Sequence, residues 1–96
     1  MFPGLTTKLS EEVVATATSI TVRKDLVRLT GTTSIATIDG QFGGGFSGIV
    51  ILVPTEGNVA TTTAGNIAAA VTMLDQRATV LVFSKEDNVW YPGAIS

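Results

Sequence analysis

The chain has 96 residues, 45% apolar and only 15% charged, with a formal net charge of −2 and neither histidine nor cysteine. That length makes one domain, since either half would be too small to hold a core without a metal or disulfides. Missing cysteine excludes disulfides and thiolate chemistry, missing histidine removes the commonest general base and metal ligand, and the slightly acidic balance offers no basic face to nucleic acid.

In chain order, residues 1–18 read as an N-terminal docking arm. The start, residues 1–8, lacks the basic region and apolar block of a signal peptide, so no secretion leader is expected. Pro3 and Gly4 interrupt regular structure, and Ser10 followed by Glu11 and Glu12 predicts a single helical turn over residues 9–15. Residues 16–19 are poor helix material and end it. The β domain is expected over residues 19–96.

Residues 19–23 alternate, with Ile20 and Val22 on one side and Thr21 and Arg23 on the other. Lys24 and Asp25 read as a tight turn, and residues 26–30 return with the same period. Residues 34–38 repeat the alternation, and Asp39-Gly40 is a hairpin-turn dipeptide. Residues 41–48 form a glycine-rich loop carrying Phe42 and Phe46. Residues 49–53 are continuously apolar and stop at Pro54, which predicts a strand buried on both faces. Residues 55–65 make a polar Thr/Gly loop.

Residues 66–76 admit two readings: alanine content favours a helix, whereas the β context favours a short strand over 66–69 followed by a loop. The second is preferred. Residues 79–84, a charged turn at 85–88, and residues 89–93 read as a closing hairpin carrying the only Trp and the only Tyr. Neighbouring strand residues face opposite ways, so one of Trp90 and Tyr91 packs inward and the other outward. The expected fold class is all-β, a small antiparallel β-sandwich or barrel with an extended N-terminal arm.

No motif carries chemistry. Glu11 with Glu12, and Glu86 with Asp87, are adjacent and diverge on a strand, so neither pair converges on a bond. The glycine-rich loop has no Lys-Ser or Lys-Thr and precedes a strand rather than a helix, which removes the phosphate-loop reading. Lys8, Lys24 and Lys85 lie in polar turns or the arm, where nothing lowers an amine pKa for a Ser–Lys dyad. No catalytic residue, metal or cofactor is expected, and no enzyme. No apolar run approaches the ~20 residues of a membrane-spanning helix. The scarcity of charge argues for oligomerisation, or else Thr and Ser supply the missing surface polarity.

Four segments carry a resemblance: residues 30–38 (Thr-Gly-Thr-Thr-Ser-Ile-Ala-Thr-Ile), 46–57 (Phe-Ser-Gly-Ile-Val-Ile-Leu-Val-Pro-Thr-Glu-Gly), 61–67 (Thr-Thr-Thr-Ala-Gly-Asn-Ile) and 89–92 (Val-Trp-Tyr-Pro). Together they resemble a small β-module of tailed-bacteriophage structural proteins, over residues 26–93. The chain departs from the usual pattern at residues 68–75. The resemblance implies a virion structural protein assembled in the host cytoplasm, commonly a homotrimer. For a chain this short it implies a capsid decoration (cement) protein, with the major capsid protein as partner and no nucleic acid or membrane.

The alternative is a tail-fibre or spike tip module, in which Phe42, Phe46 and Trp90 would meet a host-surface glycan; a third reading is a trimerising cap for a longer fibre. The candidate interface residues are Phe2, Leu5, Leu9, Val13 and Val14 of the arm, Phe42 and Phe46 of the loop, and Trp90 with Tyr91. Val80, Val82 and Trp90 are expected to build the subunit and its trimer contact.

Overall fold

A computed structural model describes residues 11–40 and 48–93. Among these residues nine strands run in chain order: β1 (Glu11–Ala15), β2 (Ser19–Val22), β3 (Leu26–Thr30), β4 (Thr37–Gly40), β5 (Gly48–Pro54), β6 (Val59–Ala60), β7 (Thr72–Met73), β8 (Thr79–Ser84) and β9 (Val89–Pro92). The described chain is all-β, as expected.

Its pairing is mixed rather than antiparallel. A five-stranded sheet has the order β1-β3-β5-β8-β9, while β2 with β4 and β6 with β7 form two small sheets. β1, β3 and β5 are mutually parallel, and so are β2 and β4. Parallel neighbours need a crossover. Here the crossover is a strand in the opposite layer, so β1–β2 and β3–β4 stack as successive turns of a coil. A third turn follows from β5, where Ile35 bridges Thr61 in parallel and receives an N–H···O bond from Thr62 at 2.9 Å. The chain then reverses: β8 adds antiparallel to β5, and β9 antiparallel to β8.

Four local expectations are corrected by this topology. Residues 11–15 are strand, not a helical turn, because β3 offers β1 a full parallel ladder from Glu11 beside Leu26 to Ala15 beside Thr30. Lys24 and Asp25 form a corner between layers instead of a hairpin turn, held where the Glu12 carboxylate accepts the N–H groups of Arg23 (2.5 Å) and Lys24 (3.0 Å). Asp39 and Gly40 lie inside β4, with Thr21 and Val22 as neighbours, and do not close a hairpin there. The residues 66–76 contain no helix, and their strand is β7, later than the expected 66–69.

The two layers close on one core. Val27, Leu29, Val50, Leu52, Leu81 and Trp90 come from the large sheet, and Ile20, Val22, Ile38, Ile35, Val59, Ile67 and Met73 from the opposite side. Alternation explains the choice: in β3, Val27 and Leu29 point in while Arg28 points out. The threonines serve the corners. Thr16 Oγ1 donates to Thr30 O at 2.8 Å and accepts the Thr33 N–H at 3.0 Å, and Thr55 Oγ1 donates to Leu29 O at 2.7 Å. Gly65 is required by close approach, since a Cβ there would run into Thr37 Oγ1 and the Ala36 carbonyl.

One threonine is an exception. The Thr79 hydroxyl is buried with no hydrogen-bond partner among the described residues, and an unsatisfied buried hydroxyl costs about 1–3 kcal/mol. Thr79→Val keeps the shape and removes the cost, so it should raise stability by about 1 kcal/mol in denaturant unfolding. An equal loss of stability would mean that the hydroxyl has a partner.

Candidate interaction surface

The register of the large sheet sets the side chains of its outer face in rows. Ile49 lies beside Val82, which lies beside Tyr91. Leu26 lies beside Ile51, which lies beside Val80. Val13 lies beside Arg28, which lies beside Val53. Within these rows Val13 is 64% exposed, Ile49 56%, Val80 39%, Val82 40% and Tyr91 42%. Leu26, Ile51 and Val53 are half-buried between them. The expectation of a fully buried strand over residues 49–53 is thus corrected: β5 buries Val50 and Leu52 but turns Ile49 to solvent.

Polar groups fringe the apolar rows. At one corner Arg28 and Glu11 form an ion pair of 3.8 Å whose side chains are 54% and 48% exposed, a geometry that contributes little to stability. At the other end the Tyr91 hydroxyl donates to Asp87 Oδ2 at 2.5 Å. That hydrogen bond, followed by desolvation and the Asp87 charge, raises the Tyr91 phenol above its ordinary 10.0. The bonded phenol favours the protonated form in the folded state, so its contribution is present below the unfolded pKa and fades as pH climbs through the raised folded one. Ultraviolet phenolate titration should therefore find a midpoint above 10.0 that falls back in Asp87→Ala; an unchanged midpoint would contradict the bond.

The two edges of the large sheet differ. β9 is covered: Trp90 N–H donates to Asn66 O and Ala68 N–H to Trp90 O, both at 2.8 Å. β1 ends the sheet on the other side. The Thr16 N–H reaches Thr30 O at 2.9 Å, and backbone polarity alternates along a parallel strand. Val14 and Glu12 therefore turn their N–H and C=O groups to β3, while Glu11, Val13 and Ala15 turn theirs to the far side, where no strand of the described residues pairs with β1.

The expected interface residues divide on this geometry. Phe2, Leu5, Leu9, Phe42 and Phe46 lie outside the described residues. Val13 and Tyr91 belong to the exposed outer face, and Val14 packs half-buried against the core. Trp90 is 1% exposed. Its indole Nε1 donates to the buried Ile38 carbonyl at 3.1 Å and its ring lies 5.1 Å from that of Phe83, tilted by 51°. It has no face to offer a sugar or a partner, so it leaves the candidate set. Val80 and Val82 stay in it, and Ile49 joins it. Period-two spacing from Ile49 to Ile51 and Val53 carried that signal, but the unbroken apolar run hid it.

Among the described residues no group of three or more His, Cys, Asp or Glu could hold a metal ion, and Lys24 and Lys85 are exposed in turns. Comparison of the chain with protein-family models, with curated proteins and with solved structures found no match.

Proposed function

We propose that this chain is a bacteriophage virion structural protein, a capsid decoration protein that trimerises on the head surface and stabilises the shell. The observation that carries the reading is the outer face of the five-stranded sheet, where five large apolar side chains stand 39–64% exposed. Contiguous apolar surface of this kind marks a contact with another macromolecule. The charge-poor composition and the resemblance to phage β-modules support the same reading. The β1 edge, unpaired among the described residues, adds a docking device, because a strand from the major capsid protein could add to its outward N–H and C=O groups.

Quantitative mass spectrometry of purified virions tests the reading: many copies spread over the head are expected. Absence from particles would overturn it, and a few copies confined to the tail would replace decoration with a fibre role. The arm is tested by deleting residues 2–9, which leaves β1 in place. The truncated protein should fold but fail to bind undecorated capsids; undiminished binding would remove the arm from the docking role.

A further inference from the structure

We infer that the outer face of the large sheet is the surface through which copies of this chain associate, with Ile49, Val80, Val82 and Tyr91 at the centre of the contact. The inference rests on the oligomeric part of the proposed function and names the surface responsible. The occupant is a further copy of the same chain, with the same face of each copy turned to a shared apolar core.

Three observations select that occupant. The first is extent: four exposed side chains (Ile49, Val80, Val82 and Tyr91) and the half-buried Leu26, Ile51 and Val53 form one continuous apolar area on neighbouring strands, with Val13 set apart from it by Arg28. Such an area supplies an apolar centre for an interface of about 800 Å² per partner, the size at which specific association becomes stable. The second is charge. The only ionic groups in the named rows are Arg28 and Glu11, already paired with each other, so two identical faces meet without like-charge repulsion. A partner chosen by charge would find nothing here to recognise.

The third is shape. A β-sheet face is complementary to another sheet face at about 10 Å separation. The apolar rows with a fringe formed by Arg28, Glu11 and Asp87 reproduce the apolar centre and polar rim of a protein interface. Around a three-fold axis, three such faces would enclose one shared apolar core. The β1 edge stays outside that core and remains available to a different chain.

Light scattering coupled to size exclusion at micromolar concentration tests the inference on the full chain. Wild type is expected as a trimer. Val82→Asp and Ile49→Lys place a charge in the centre of the contact at positions that are exposed in the subunit. Each should leave the circular-dichroism spectrum unchanged and weaken association by at least about a hundredfold, the effect of stranding an unpaired charge in an interface. Val13→Pro, which blocks one outward N–H on the β1 edge, should leave the assembly intact. A trimer that survives both charged variants would overturn the inference while leaving the trimer itself standing. Dissociation by Val13→Pro alone would move the contact from the face to the edge, also against the inference. A wild-type monomer would overturn the inference and the trimer, whereas the virion reading would still be decided by particle composition.

Discussion

Trp90→Ala should lower the stability of the subunit by about 3–5 kcal/mol, the cost of truncating a fully buried aromatic side chain. Trp90 is the largest of the buried side chains and is 1% exposed. It spans the two layers: its backbone belongs to β9 of the large sheet, while its Nε1 reaches the carbonyl of Ile38 in β4. Truncation therefore leaves a cavity between the sheets and removes a hydrogen bond across them. For a domain of this size the loss corresponds to a fall in thermal midpoint on the order of 12–25 °C, readable by far-ultraviolet circular dichroism. Tyr91→Ala, one residue away on the exposed side, should cost the isolated subunit under about 1 kcal/mol. Equal effects at the two positions would contradict the assigned register. Melting should be compared at fixed concentration, since assembly contributes to apparent stability.

Asn66→Ala should cost about 2–4 kcal/mol, more than its modest side-chain volume implies. The Asn66 amide takes the place of a neighbouring strand: Oδ1 accepts the Ile38 N–H at 2.9 Å and Nδ2 donates to Ile38 O at 2.8 Å. Its removal leaves a partly buried N–H without a partner, which costs the full desolvation of that group. Asn66→Asp separates the two bonds. A carboxylate still accepts the N–H but sets a second acceptor against the Ile38 carbonyl. Its proton would be favoured in the folded state, so the deficit should shrink on acidification and grow as pH rises through the raised pKa. A deficit independent of pH would argue against the contact with Ile38 O. Asn66 and Trp90 share that acceptor, so the double variant should show a coupling of about 0.5–3 kcal/mol between them.

How much of this was legible before folding depends on which property is asked for. Alternation over residues 19–23 set Ile20 and Val22 on one side and Thr21 and Arg23 on the other, and the structure turns the first side to the core, because side-chain direction in a strand is a local property. The closing hairpin was legible for the same reason: β8 and β9 meet across residues 85–88, where Asn88 has a φ of 58° and donates to Ser84 O at 2.7 Å. Lys24 and Asp25 misled, because a charged two-residue bend looks the same whether it folds a strand onto its neighbour or carries it into another layer. Residues 11–15 misled because a capping signal and acids in a first turn yield to a parallel ladder once β3 is in place.

Local sequence determined an all-β chain, the two sides of the strand around Ile20 and Val22, and that Trp90 and Tyr91 point opposite ways. Only the tertiary structure decided which strands are neighbours, since parallel pairing joins residues far apart in the chain and leaves no mark in local spacing. It also decided that Trp90 is the inward one, through the pairing of Trp90 with Phe83 and the donor role of its indole toward Ile38. The same holds for the outer face. Ile49, Val80 and Val82 are as apolar as the core beneath them, and composition cannot distinguish a side chain already buried from one exposed on the outer face. Burial belongs to the whole arrangement, and here it leaves one side of the large sheet uncovered by the described residues of its own chain.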